Sequence, residues 1–323
     1  MITRRRFSAA LGAAMVWPSV SRAQAFPAHS LRLLVPYAAG GGTDAIARLI
    51  ADATGEKLGQ TLVVENNGAG AGNIATTVAA SAQPDGYTVL MANQGPMVVN
   101  PHLFKTLKVD PLTAFDPVTL ITSAPLVVVV PKESRFADFR QLMAFGLANT
   151  GKLTYGSAGN GSASHMATIL LENVTGLKSV HVPYRGAGPA IADLLGGRTD
   201  YMVTTLPSVS GLVESGQMRS LAVTTKTRTK KLPDVSTVAE NGWPGYEAGA
   251  WYGFVVPKGT PAHAIETLRN ATVAAINSPK VRDRLQNEGA EPIGSTPRDF
   301  ADMMQTESKR WAEVIKASAI SVE

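Results

Sequence analysis

The chain has 323 residues, enough for two domains of ordinary size, and its 45% hydrophobic and 17% charged content is that of a globular protein. Its formal charge of +5 is uneven: residues 1–25 hold Arg4, Arg5, Arg6 and Arg22 and no acid, leaving 26 basic against 25 acidic groups, a net of +1, over the remainder. That balance argues against nucleic acid or an anionic membrane as partner, and the lack of cysteine excludes a disulfide framework, a thiol nucleophile, a Cys-based zinc site and a lipid-anchored N-terminal Cys.

Residues 1–25 read as an export signal: a basic start, an apolar run from Ala9 to about Val20 that is too short to span a membrane, and Ala23-Gln24-Ala25 as a small-x-small cleavage site. Thr3-Arg4-Arg5-Arg6-Phe7 resembles the twin-arginine export motif, with Ser8 where Leu is usual, so the twin-arginine and general routes both stay open. No later apolar run reaches the roughly 18 residues of a transmembrane helix. The expected location is the periplasm, with cleavage after about Ala25.

From Phe26 onward, short apolar runs alternate with helical patterns, the signature of βαβ units and a parallel sheet. LRLLVPY leads to a helix with Ile46, Leu49, Ile50 and Ala53 on one face; TLVVEN leads to GAGAGNIATTVAASA; PDGYTVLMAN closes the unit, with Pro84-Asp85-Gly86 as a turn. A second set follows LVVVVP: LTYGSA before a helix with Met166, Ile169, Leu170 and Val174, then SVHVPY before AGPAIADLL, then YMVTT and SLAVTT. The last third reads as mostly helical, with Ile265, Leu268 and Ile276 in one segment. A final helix begins at Thr296 with Pro297 in its first position, Asp299 facing the free amides, and a stripe of Phe300, Met303, Met304, Trp311 and Ile315. Leu126–Pro131 and Tyr252–Pro257 resemble each other, apolar strands ending in Val-Pro and followed by Lys. They are candidate hinge strands of a two-lobe protein, or simply two buried strands.

Gly40 to Thr43, between a strand and a helix, offers backbone amides at a helix N-terminus, where the dipole favours an anion; Gly68, Gly70 and Gly72 repeat the arrangement after the second strand. The same glycines also serve as tight connections. A dinucleotide fold is the rival, because Gly40-x-Gly42-x-x-Ala45 satisfies the relaxed fingerprint and Glu65 ends the second strand where a ribose ligand sits. Pro36-Tyr37-Ala38-Ala39 makes this turn wider than that motif requires. YGSAGNGSASHMA supplies a third donor-rich turn with Ser157, Asn160, Ser162 and Ser164, but the chain holds no Gly-x-Ser-x-Gly elbow, and Ser164 and His165 are helix neighbours that do not face each other. Arg185 sits in a Gly-rich loop where a guanidinium can fork onto a carboxylate or lie in solvent. The five histidines show no metal-ligand spacing and there is no P-loop, so neither catalysis nor a metal has a positive signal.

In order along the chain, VPYAAGGGTDAIAR, ENNGAGAGNIAT, QPDGYTVLMAN, NPHLFK, FDPVTLI, YGSAGNGSASHMA, VPYRGAGPAIADLLGGRTDY and WYGFVVPKGTP resemble the Bug proteins, the solute receptors of tripartite tricarboxylate transporters. The resemblance covers essentially all of the chain beyond the export signal. It implies a periplasmic-binding-protein architecture: two α/β lobes, each a mostly parallel sheet flanked by helices, joined by two crossing hinge strands and closing on a ligand like a flytrap. Residues 26–125 with 252–323 would form the first lobe and 126–251 the second. The resemblance further implies no catalysis, no cofactor and no metal, a monomer, a small carboxylate as ligand, and the transporter's membrane components as partners.

In the first lobe the ligand would be held by the loops containing Tyr37, Ala39, Gly42, Thr43 and Asp44 and by Gly70, Gly72 and Asn73, largely through backbone groups. In the second it would be held by Ser157, Gly159, Asn160 and Ser164, by Tyr184, Arg185 and Gly186, and by Thr204 and Thr205. Asn93, Gln94 and Pro207 are expected near the choice of ligand. The alternatives are an exported dinucleotide-dependent enzyme and a ligand sensor for a signalling partner.

Overall fold

The computed structural model describes residues 26–318 together with 320 and 322. The export segment lies outside the described residues. The chain begins with β1 (Leu31–Val35), α1 (Gly42–Leu58), β2 (Leu62–Asn66), α2 (Asn73–Ala80) and β3 (Thr88–Asn93), β1 pairing in parallel with both β2 and β3. A π-helical turn at Gly95–Val99 and the short helices α3 (Asn100–Leu103) and α4 (Pro111–Ala114) lead into β4 (Phe115–Pro131). Next come α5 (Phe139–Ala148), β5 (Leu153–Ser157), α6 (Ala163–Thr175), β6 (Ser179–Pro183), α7 (Ala187–Leu195), β7 (Tyr201–Thr205), α8 (Leu206–Glu214) and β8 (Met218–Val223). The chain returns through β9 (Gly249–Pro257) to α9 (Ala262–Ile276), α10 (Pro279–Asn287), β10 (Glu291–Pro292) and α11 (Pro297–Ser318).

The strand order β2-β1-β3-β9-β4-β7-β5-β6 makes β4 the shared element. From Phe115 to Pro125 it runs antiparallel to β9; from Leu126 onward it runs antiparallel to β7 and β8. The fold is the expected two-lobe α/β architecture. Its parallel pairing belongs to the outer strands (β1 with β2 and β3, β5 with β6 and β7), whereas the strands at the hinge are antiparallel because the chain crosses and then comes back.

Alternation along each central strand explains the continuous apolar runs, since helices cover both faces. In β4, Leu126, Val128 and Val130 enter one core with Phe139, Leu142 and Tyr155, while Val127 and Val129 enter another with Leu194, Met202 and Val209. In β9, Tyr252, Phe254 and Val256 face the α1 and α9 side with Ile46, Ile50 and Leu268, while Trp251 and Val255 face α11 with Phe300 and Trp311. The buried stripe of α6 differs from the expected one. Met166, Ala167 and Leu171 are its core residues, Ile169 and Leu170 are half-buried, and Val174 is 39% exposed, because the helix lies rotated toward β7 to bury Thr168 and His165 as well. The last helix starts as expected, with Thr296 Oγ1 accepting from the Asp299 amide at 3.1 Å.

Thr224, fully buried just after β8, ties the two crossings together. Its hydroxyl accepts from the Leu126 amide (3.0 Å) and lies 2.9 Å from the Leu126 carbonyl and 2.8 Å from the Ala248 carbonyl. Leu126 is where β4 changes partner, and Ala248 immediately precedes β9.

Candidate ligand-binding site

The N-termini of four helices meet between the lobes: α1 from the first lobe, and α6, α7 and α8 from the second. Gly41 and Thr43 of α1, Ser162 and Ser164 of α6, Ala187 of α7, and Thr205 and Ser208 of α8 line one cavity of about 40 Å3. The N-cap residues of α1, α7 and α8 make no side-chain capping bond of their own, although Ser208 Oγ of the opposite lobe accepts from the first α1 amide, and the positive dipole ends of these helices meet at the cavity. The first-lobe floor is Asn93, Gln94 and Gly95 at the end of β3, and Trp251 and Tyr252 of β9 complete the wall. Among the described residues, no Asp, Glu, Lys, Arg or His lines it.

Hydroxyls stitch the two halves together. Ser208 Oγ accepts from the Gly42 amide across the cleft at 2.9 Å and shares a 2.7 Å bond with Thr205 Oγ1. Burial pushes the Tyr252 hydroxyl's pKa up, opposed by hydrogen bonds with Thr205 from one lobe and Thr43 from the other. The Ala38 amide donates to the Arg185 carbonyl at 2.9 Å. Lobes this close need glycine at the contact. An added Cβ would stand 2.1 Å from the Arg185 carbonyl oxygen at Gly68, 2.6 Å from Ser208 Oγ at Gly42, and 2.8 Å from the Ala39 carbonyl oxygen at Gly188. The glycines that mark the sequence thus also act as clearance for closure.

Of the residues expected at the site, Tyr37, Thr43, Asn93, Gln94, Ser164, Thr204 and Thr205 come together on the cavity wall, with Ser162 beside them. The others lie outside it for identifiable reasons. Ala39 is exposed, and Gly42 spends its amide on Ser208. Burial pushes the Asp44 carboxyl up, but Arg48 at 3.0 Å, the Gly40 amide at 3.1 Å and Asn66 outweigh it, so the group stays ionised as a brace for its own loop. Gly70 is exposed, Gly72 packs on Pro96 and Pro36, and Asn73 Oδ1 accepts from Asn100 Nδ2 at 2.6 Å.

In the second lobe, Ser157 is fully buried and shares a 2.6 Å hydrogen bond with His181 Nε2, behind the wall and away from the cavity. Gly159 and Asn160 form the bend behind Ser162, whose hydroxyl donates to the Gly159 carbonyl at 2.6 Å. The Tyr184 hydroxyl donates to Asp193 at 2.7 Å, Gly186 packs against Ala38, and the Arg185 side chain is exposed. Ser208, Ala187, Trp251 and Tyr252 are among the lining residues that the sequence reading did not single out. The Trp-Tyr pair opening a returning hinge strand, and Ser208 just past Thr204-Thr205-Leu206-Pro207, were their only signals.

The dinucleotide alternative fails on this geometry. Glu65, the candidate ribose ligand, is held by a forked pair with Arg32 at 2.9 and 2.8 Å, and it is not among the residues that line the cavity. A wider open groove of about 710 Å3 runs along the hinge side; its charges are largely paired, Lys226 with Glu247 and Arg310 with Glu307 at 3.3 Å each.

A family profile described as "Tripartite tricarboxylate transporter family receptor" matches residues 46–320. The chain belongs to this receptor family. It is 38% identical over 317 residues to a Pseudomonas sp. protein described as "UPF0065 protein in tcbD-tcbE intergenic region", covering 97% of this chain and 94% of that one. The periplasmic binding protein BugD matches with a TM-score of 0.88 at 33% identity, over 92% of this chain and 99% of BugD. The R. palustris protein Rpa4515, solved with adipate, matches with a TM-score of 0.89 at 35% identity, over 92% and 99%. MatC from Rhodopseudomonas palustris, solved with bound malate, matches with a TM-score of 0.84 at 32% identity, over 90% and 100%. This family receptor is therefore a periplasmic solute-binding protein of the Bug kind and not an enzyme.

Proposed function

We propose that this receptor captures a small carboxylate between its lobes and presents the closed form to the membrane components of a tripartite tricarboxylate transporter. The observation that carries the reading is the convergence of the N-termini of α1, α7 and α8 on one cavity between the lobes. Hydrogen bonds to an ionised acceptor contribute about 1.5–3 kcal/mol each, and donors from the far lobe count only when the lobes are together. A carboxylate that engages both sets therefore shifts the population to the closed form. The adipate and malate complexes of two relatives support this class of solute.

In this reading the lobes comprise residues 26–125 with 252–323, and 126–251; the change of β4 partner between Pro125 and Leu126 supports that division. The working unit is a monomer, since one chain supplies the whole cavity wall, and the export signal is removed after about Ala25. The test is thermal unfolding and calorimetry of the mature protein against mono-, di- and tricarboxylates. A ligand at 100 times its Kd stabilises the folded state by about 2.7 kcal/mol, so at least one acid should raise the midpoint clearly. Uptake of that acid in cells lacking the receptor reads the transporter role, and unchanged uptake would remove it.

A further inference from the structure

Three residues on the first-lobe side of the cavity carry polar atoms that nothing in the protein satisfies. Asn93 ends β3 and is 5% exposed, with both Oδ1 and Nδ2 unpartnered; Gln94 is 2% exposed with Oε1 unpartnered; Trp251, at 6%, has a free indole N–H while its ring packs edge-on against Phe300. All three line the cavity. Buried donors and acceptors without partners are costly and rare in native proteins, so four on three neighbouring wall residues mark where a ligand supplies the missing bonds.

The polarity of this cluster is informative. An ionised carboxylate only accepts hydrogen bonds. It satisfies Asn93 Nδ2 and Trp251 Nε1 but meets Asn93 Oδ1 and Gln94 Oε1 oxygen to oxygen. Turning the Asn93 amide over does not help, because one oxygen and one NH2 group stay unpartnered either way. A ligand atom that donates here satisfies the cluster directly, where a plain carboxylate needs a bridging water. That donor is neutral: no Asp or Glu lines the cavity to balance an ammonium, and no Lys, Arg or His lines it to offset a second carboxylate at this end.

Resting on the carboxylate reading above, we propose that the solute is a monocarboxylate whose other end carries a neutral group that both donates and accepts, a carboxamide or a hydroxyl, seated against Asn93, Gln94 and Trp251. The carboxylate lies toward the helix N-termini and the neutral group toward the end of β3. The receptor then discriminates against simple dicarboxylates of the same length.

Calorimetry with size-matched pairs tests this: succinate with succinamate, glutarate with glutaramate, adipate with adipamate, and succinate with 4-hydroxybutyrate for the hydroxyl. The member carrying the amide or hydroxyl should bind at least tenfold more tightly in the pair of fitting length. In Asn93→Leu, checked for folding by its unfolding midpoint, that ratio should fall close to one. Equal or tighter binding of the plain dicarboxylate would overturn the inference and leave the carboxylate reading standing, with water filling the subsite. If the diamides bind and no acid does, or if none of the acids binds at millimolar concentration, the carboxylate reading itself falls.

Discussion

The amide of Ala38 donates to the carbonyl of Arg185 at 2.9 Å, a main-chain bond between lobes more than a hundred residues apart in sequence. Gly68 sits against both partners: a Cβ built there would lie 2.1 Å from the Arg185 carbonyl oxygen and 2.8 Å from the Ala38 nitrogen. Its φ of −88° is ordinary for any residue, so the backbone itself admits alanine; the added Cβ presses hardest on the Arg185 carbonyl across the interface and less closely on the Ala38 nitrogen of its own lobe. Gly68→Ala should weaken binding of the tightest acid at least tenfold in calorimetry, with only a small drop in the unliganded unfolding midpoint from the contact with Ala38. Wild-type affinity in this variant would show that the ligand-bound form is more open than the one described.

Arg185 takes part in that bond through its main chain, and its side chain is exposed outside the cavity. Arg185→Ala should therefore change affinity by no more than about twofold. A direct forked contact to a carboxylate is worth about 1.5–3 kcal/mol, so a tenfold or greater loss would bring the guanidinium into the site.

The histidines behind the second-lobe wall make a pH prediction. His165 stacks on His181 with ring centres 4.2 Å apart, and His181 stacks in turn on Tyr155 at 4.8 Å. Burial, aided by the neighbouring His181, pulls His165 down to about 3, and burial pulls His181 down to about 4. Both are neutral in the folded protein where an unfolded chain takes up protons below about 6.5. The stability they contribute is whole above that pH and is lost as pH falls from about 6.5 to about 4, by about 1.4 kcal/mol per pH unit for each unmatched proton. Glu172, pushed up by burial, acts in the opposite sense above about 4.5, so the slope is best read by comparison. Urea melts from pH 7 to 4.5 should show a shallower decline in His165→Gln/His181→Gln than in the wild type, and parallel slopes would count against the cause.

Thr224 offers a test at the hinge. Thr224→Val keeps the shape but leaves the Leu126 amide without its hydroxyl acceptor and removes the contacts to the Leu126 and Ala248 carbonyls. An unsatisfied buried group costs about 1–3 kcal/mol, and chemical denaturation should report a loss in that range. A loss below about 0.5 kcal/mol would mean that the crossings hold without this clamp.

The βαβ units were legible because their signals are local. Ile46 and Ile50 at helical spacing, the apolar β1 and β3, and Pro84-Asp85-Gly86 with Gly86 at φ +90° each declare an element within a few residues. The α6 stripe was misread because Met166, Ala167 and Leu171 satisfy the same period as Met166, Leu170 and Val174, and only packing against β7 decides between them. The site was half legible. Thr43, Ser164 and Thr205 stand at strand-to-helix junctions, where donors are expected from the pattern alone. Trp251, Tyr252 and Ser208 reach the cavity through the return of β9 and the meeting of two lobes, which their neighbours in the chain signal only weakly. The glycines were read as cradles for an anion, yet Gly42 and Gly68 prove equally necessary as gaps through which the other lobe approaches.

The place of β9 in the strand order also governs the sequence of assembly. It lies between β3 and β4, so the sheet of the first lobe has a hole at its centre until residues 249–257 have been made. Residues 126–248, by contrast, contain every strand and helix of the second lobe in one uninterrupted stretch apart from the shared end of β4. On a chain emerging from its N-terminus, the lobe that starts first finishes last. Its early strands wait with open edges while the second lobe completes, and the half that holds Asn93 becomes a binding surface only when the C-terminal strand and helices arrive to close it.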